Sequence, residues 1–535
     1  MNKLITFLLF GVVSICSYAQ KFEYEGLNYQ VLSDADKTCE VTRNYDVPSN
    51  VIIPEKVTYN DSQYTVTSIG ERAFYGCNIF SVILPEGVTT IGSYAFGSCE
   101  LVSITLPESL TSIEWGAFSN CSMLPSITLP KNLASIGEYA FQACLSLREI
   151  NVVVENEHYA SYEGVLFSKD LTTLITCPQG KSGEYIVPNG VTTIGDYSFY
   201  SCWSLSSITL PESVTSIGDF SFFDCWVLTE INVAVENKNY ASLEGVLFSK
   251  DLTTLIKYPE AKTGDYTVPN GVVSIGDYAF YRCTLLTCIE LPTSVTSIGN
   301  YAFSQCYSLT SVILPESLTL IGEGAFESCE NLLSITLPTG LTSIGNAVFG
   351  WCTNLLSITL PESVTSIGNA TFKNCESLTS IILPESLITM GYEAFSGCSR
   401  LPSITLPESL ISIGNWAFEN CESLKTVNSY ATNPPVCNYS VFLEISSDAV
   451  LHVPVGTKDD YADAEGWSRF YNIIDDLNEY SGVEGIDSET LEINADDVIE
   501  VYNLQGSRMN IVRRNELPSL PAGIYIVNGK KIIVK

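Results

Sequence analysis

Thirteen phenylalanines recur at almost constant spacing, and that regularity limits the possible folds of this chain more than any other feature. Phe74, Phe96, Phe118, Phe141, Phe199, Phe222, Phe280, Phe303, Phe326, Phe349, Phe372, Phe395 and Phe418 follow one another at 22 or 23 residues, apart from two steps of 58. Each long step is one 23-residue unit plus 35 residues. A unit this short has apolar edges on both sides and buries them only against its neighbours. The period therefore predicts a repeat solenoid held by nearest-neighbour interfaces.

The unit reads L-x-S-I-x-L-P-x-S-[LV]-x-S-I-G-x-x-A-F-x-x-C. In "LVSITL" (101–106), Leu101, Ile104 and Leu106 alternate with Ser103 and Thr105, the pattern of a short half-buried strand. Pro107 lacks a donor for a neighbouring strand and ends the ladder. The glycine at Gly70, Gly92, Gly137, Gly195, Gly218 and equivalent positions predicts a turn with positive φ, with Glu114 the one exception. The closing "xxAFxxC" predicts one helical or 3₁₀ turn on the convex side, with Ala and Phe buried.

With those residues in place, the unit closely resembles the BspA-type leucine-rich repeat, also called the Treponema pallidum-type repeat, of bacterial surface proteins. The resemblance spans about residues 66–428 and recurs thirteen times. It implies a leucine-rich-repeat horseshoe or curved rod of short parallel strands. It also implies adhesion or protein–protein recognition at a cell surface.

The flanks divide the rest. Residues 1–19 read as a secretory signal, with basic Lys3, an apolar stretch to Val13, and small Ser17 and Ala19 before the cut. The apolar run is short for a membrane anchor, and Ile15 before Cys16 argues against lipoprotein processing. Residues 20–65 alternate without the full motif and read as the N-terminal cap. Two near-copies, at about 150–193 and 231–274, carry "GVLFSKDLTTLI" and predict hairpins within long units. They are either widened scaffold coils or a raised rim around a binding surface. Residues 429–480 resemble the terminal cap of such arrays, and acidic 481–500 reads as a linker. Residues 501–535 predict a small all-β domain that resembles the C-terminal sorting domains of proteins exported by Gram-negative anaerobes; a plain β-module is the alternative. The resemblance implies export, with the protein at the outer-membrane surface or secreted.

Eighteen cysteines in an exported chain raise the prospect of disulfides. Thirteen, however, stand three residues after the repeat phenylalanines (Cys77, Cys99, Cys121 and onward to Cys421), so position in the coil accounts for them. Side chains on successive coils point the same way, which works against disulfide geometry. One cysteine per coil offers no paired spacing for zinc. They read as buried thiols that fill space and donate weakly to carbonyls. Cys39, Cys177, Cys288 and Cys437 lie off this ladder, and a disulfide among them stays open.

Chemistry has little to work with. The two histidines, His158 and His452, are far apart, and no nucleophile elbow, zinc helix or phosphate loop is present. The chain reads as a non-enzyme that needs no cofactor. An enzyme hidden in residues 429–535 is the remote rival. Sixty acidic against 26 basic residues, a formal charge of −34, argue against nucleic acid as a partner, and no later segment is long and apolar enough to cross a membrane. Face-out threonines Thr105, Thr128, Thr209, Thr336, Thr359 and Thr405 predict a broad hydroxyl-rich strand surface, interrupted by Ile83, Ile313 and Ile382. Glu108, Glu212, Glu362 and Glu408, with Glu86, Glu316 and Glu385, predict an acidic rib along one edge. Such a rib is a solvated edge, or a site for calcium or a basic partner. The expected partners are extracellular host or bacterial proteins, with glycans as the alternative; no cluster of exposed aromatics stands out as a sugar platform.

Overall fold

A computed structural model describes residues 20–477 and four strands at 498–502, 508–513, 523–527 and 530–534. The signal segment with Cys16 and the acidic linker up to residue 497 lie outside the described residues. The chain forms two compact units, Met1–Lys250 with Pro259–Ala261, and Asp251–Tyr258 with Lys262–Lys535.

The first unit begins with antiparallel pairing of Lys21–Tyr24, Leu27–Ser33 and Thr38–Val41, and of Lys56–Tyr59 with Ser62–Ile69. From there the pairing turns parallel. One ladder runs through Thr38–Val41, Ser62–Ile69, Thr90–Ile91, Ser112–Ile113 and Ser135–Ile136. A second joins Asn50–Ile52 to Ser81–Ile83 and Ser103–Thr105, and Ser126–Leu129 to Glu149–Val152. The first 35-residue addition folds as an antiparallel meander of Tyr159–Tyr162, Val165–Ser168 and Thr173–Thr176, and its last strand rejoins the parallel ladder at Thr193–Ile194.

The second unit repeats both ladders, for instance Ser343–Ile344 with Ser366–Ile367, Thr389–Met390 and Ser412–Ile413. Its coils end in a sheet of Ser403–Leu406, Thr426–Ser429, Val450–Pro454 and Asn472–Leu477. There the buried Trp467 donates its ring N–H to the Pro435 carbonyl at 2.8 Å. The four strands beyond residue 497 pair antiparallel. The fold is a leucine-rich-repeat solenoid of parallel strands, and the only α-helix among the described residues is Lys458–Asp463.

Phenylalanine rings stack from coil to coil through each unit: Phe74 on Phe96 at 5.4 Å, Phe303 on Phe326 at 5.1 Å, Phe395 on Phe418 at 5.4 Å. Phe442 adds a further rung, 5.5 Å from Phe418, that the motif conceals because the step is 24 residues. Burial of each ring contributes about 1.5–3 kcal/mol.

The closing segment is not a helical turn. Residues two before and two after the phenylalanine adopt left-handed φ, as at Tyr94 (53°) and Ser98 (58°). That alternation turns every second N–H toward the next coil, a direction no helix provides. Tyr94, Phe96 and Ser98 donate to Trp115, Ala117 and Ser119 at 3.0, 2.8 and 2.7 Å, while the intervening amides close turns within their own coil.

The repeat glycine also differs from expectation. It has no left-handed φ at any of its positions; those fall two residues later. What it supplies is close approach. A Cβ on Gly414 would lie 2.4 Å from the carbonyl carbon of Gly391, and one on Gly391 would lie 2.5 Å from that of Gly368. At these two positions a Cβ would collide with the backbone of the preceding coil. We expect Gly391→Ala to destabilise the second unit by about 2 kcal/mol or more, measured by urea denaturation. An unchanged midpoint would show that the stack yields freely.

All seventeen described cysteines are free thiols, and the thirteen in the ladder are buried. Each ladder Sγ donates to a main-chain carbonyl one coil back. In most coils that carbonyl belongs to the phenylalanine: Cys99 to Phe74 at 3.0 Å, Cys121 to Phe96 at 3.1 Å, Cys375 to Phe349 at 3.1 Å, Cys421 to Phe395 at 3.2 Å. The same oxygens accept the in-coil amide of the following cysteine, so sulfur and nitrogen share one acceptor. Burial pushes the Cys99 and Cys144 thiols up to about 12. Of the off-ladder group, Cys39, Cys177 and Cys437 are buried and Cys288 is half-buried.

Candidate functional site

Strand residues alternate between core and solvent, so each coil contributes a few outward side chains to a common face. Thr105, Thr128, Thr336 and Thr359 are exposed; Thr209 and Thr405 are half-buried. In register with them stand other residue types. In the first unit Ile52, Ile83 and Thr105 are successive partners, as are Ile186, Thr209 and Asn232. In the second unit Thr359 pairs with Ile382, and Thr405, Asn428, His452 and Ile474 follow in order. Ile52 and Ile83 are 70% and 53% exposed, so neighbouring isoleucines form apolar steps in the hydroxyl surface. His452 lies on this face with its ring nitrogen 2.8 Å from the Asp476 carboxylate.

The acidic edge does structural work. The Glu86 carboxylate accepts the amides of Glu108 and Ser109 in the next coil at 3.2 and 3.3 Å. Glu108 accepts the Lys131 amide at 3.2 Å, Glu316 the Thr339 amide at 3.2 Å, and Glu362 the Glu385 amide at 3.1 Å. These charge-assisted bonds offset the repulsion between neighbouring carboxylates. Among the described residues, no bond of this kind reaches the exposed Glu212, Glu385 or Glu408. Among the described residues, no three His, Cys, Asp or Glu side chains converge as a metal ion requires. We expect millimolar calcium to leave the melting temperature within about 1 °C of its value in chelator; a rise of several degrees would reveal a site at this edge.

Sequence reasoning missed two functions of the motif. The serine after the glutamate is a brace: Ser213 donates to the Val191 carbonyl at 2.6 Å, Ser317 to Val295 at 2.7 Å and Ser409 to Leu387 at 2.7 Å. Its recurrence was the available signal. Aromatic side chains also line up, mostly two residues before the repeat phenylalanine, with Tyr75 and Trp115 at nearby positions. In the first unit Tyr75, Tyr94, Trp115, Tyr139, Tyr197 and Phe220 touch in sequence with centroids 4.7–5.9 Å apart. Trp203 and Trp226 stack at 4.6 Å and 8°, and Trp226 is 53% exposed.

The BspA type leucine rich repeat region model matches residues 49–163, 181–262, 258–377 and 342–447, well over half of the chain. Among solved structures, a leucine-rich repeat protein from Eubacterium ventriosum is 24% identical, with 74% of this chain and 93% of that one covered and a TM-score of 0.47. A leucine rich cell surface protein from Faecalibacterium prausnitzii is 27% identical over 68% of this chain and 94% of its own, with a TM-score of 0.42. A leucine-rich repeat protein from Bacteroides ovatus is 28% identical over 76% and 94%, with a TM-score of 0.32. No curated protein matches the chain.

Proposed function

Because the chain belongs to the BspA-type leucine-rich-repeat family, we propose that it is a non-enzymatic, exported surface protein that adheres to extracellular proteins through its outward strand face. One observation carries this reading: a repeated row of threonines, exposed at Thr105, Thr128, Thr336 and Thr359, interrupted by exposed isoleucines. Such a surface gathers affinity from many weak contacts over a large area. The test is binding of the full chain to immobilised matrix proteins and to bacterial surface proteins. Ile83→Asp, at a position that is 53% exposed, is expected to weaken binding about 3- to 30-fold. Removal of one 23-residue coil is expected to weaken it by degrees. Abolition of binding by a single threonine substitution would contradict an extended interface.

Glycan recognition is the second reading, and the stacked Trp203–Trp226 pair favours it. An exposed indole face at that position suits a sugar ring. A glycan array probed with the full chain and with Trp226→Ala separates the two: signal lost with Trp226 supports the glycan reading, whereas matrix binding unaffected by Trp226→Ala supports the first.

A further inference from the structure

In the first unit, ordinary coils give three alternate amides to the coil that follows. Gly116, Phe118 and Asn120 donate to Glu138, Ala140 and Gln142, and Tyr197, Phe199 and Ser201 donate to Asp219, Ser221 and Phe223. The coil carrying Phe141 departs from this rule. It is followed by the end of the first meander, where Thr176-Cys177-Pro178-Gln179 stands in place of the usual turn. Among the described residues, the amides of Tyr139, Phe141 and Ala143 have no acceptor. On its other side the meander restores the ladder. Cys177 donates its amide to the Ser198 carbonyl at 2.7 Å, and the Gln179 side chain donates to that of Tyr200 at 3.1 Å.

Between the two coils lies a cleft of about 190 Å³ lined by Tyr139, Phe141, Cys177, Gln179, Tyr197 and Tyr200, with the Tyr139 and Tyr197 rings in contact at 5.2 Å. Gln179 is only 7% exposed, and its Oε1 is buried without a hydrogen-bond partner. The second meander differs at this place. There Glu260 replaces Gln179, and its carboxylate accepts the amide of Asp224, the counterpart of Ala143, at 3.0 Å.

We infer that this cleft receives an extended peptide segment of a partner protein, whose main-chain carbonyls take the amides of Tyr139 and Phe141. Donors at alternate residues of an extended edge match a polypeptide backbone, as when a strand is added to a sheet. Tyrosine rings in the lining suit the flanking side chains. Glu138 and Asp196 at the rim favour basic residues in that peptide and disfavour a free carboxylate or phosphate. The inference deepens the protein-binding reading and rests on it.

The test uses the full chain and a phage-displayed library of random fifteen-residue peptides, selected in parallel on wild type, Gln179→Glu and Tyr197→Ala. Gln179→Glu copies the second meander and supplies an acceptor inside the cleft; Tyr197→Ala removes one ring of the lining. Hydrogen exchange is measured on the same proteins. The expected result is enrichment of basic, extended peptides on wild type and at least about tenfold loss on both variants. Exchange across 138–144 is expected to be about tenfold faster than across 115–121, and to slow when the selected peptide is added. Peptides that bind all three proteins equally would overturn the cleft assignment while leaving protein binding by the strand face intact. No enrichment, or exchange equally slow in both segments, would overturn it as well. The matrix-binding assay with Ile83→Asp reports on the broader reading independently.

Discussion

Phe349→Ala is expected to destabilise the second unit by about 3–5 kcal/mol, the cost of deleting a fully buried aromatic ring. The ring is packed between Phe326 at 5.7 Å and Phe372 at 5.6 Å, so its removal leaves a cavity bounded by rigid neighbours that collapse poorly. In a repeat array the loss is local, since each coil touches only the coils beside it. Hydrogen exchange is therefore expected to accelerate most in residues 326–375 and little around Phe74 to Phe118. Uniform acceleration through the chain would indicate cooperativity beyond nearest neighbours. The conservative Phe349→Leu is expected to cost less than half as much.

The second large effect is alkaline lability. Burial raises the thiols of Cys77, Cys99, Cys121, Cys144, Cys202, Cys329, Cys352, Cys375, Cys398 and Cys421 above their ordinary value of 9.0. A group whose folded pKa is raised keeps its full contribution below the unfolded value and loses it as pH climbs toward the folded one. Below about pH 8.5 both states hold the proton and stability is flat. From about pH 9 to 12 the unfolded chain releases protons that the folded chain keeps, and each such thiol costs up to about 1.4 kcal/mol per pH unit. With ten thiols shifted the same way, the urea midpoint is expected to fall steeply above pH 9. Replacement of two adjacent ladder cysteines, Cys375 and Cys398, by serine or alanine is expected to make the fall shallower. A midpoint that is flat to pH 10.5 would show that these sulfurs are not buried.

The repeat made most of this architecture legible. Apolar alternation in "LVSITL", the proline that ends it and the phenylalanine period predict short parallel strands stacked in register, because those signals arise from burial within a single coil. Contacts between coils were less legible. The glycine reads as a turn residue in one dimension; its reason, a backbone 2.4–2.5 Å from where a Cβ would stand, exists only once the coils are stacked. The glutamate rib reads as repulsive for the same reason, since the amides it accepts belong to the next coil. Most of the aromatic line from Tyr75 to Phe220 stands two residues before the repeat phenylalanine, at a position the motif leaves open because other coils place Arg72 or Gly116 there, so a consensus conceals it. The cleft beside Gln179 depends on a ladder that stops, and only the paired ladder reveals where the acceptors end.

Counting accessible thiols distinguishes buried free sulfurs from exposed or cross-linked ones. The native chain, purified without reductant, is alkylated at pH 7.5 with and without denaturant, and its intact mass is measured. Among the described cysteines, only half-buried Cys288 is expected to react readily in the native state. All seventeen should react once unfolded, with no mass deficit from disulfides. Rapid native alkylation along the ladder, or a deficit of two mass units per cysteine pair, would contradict coils joined through buried free sulfurs.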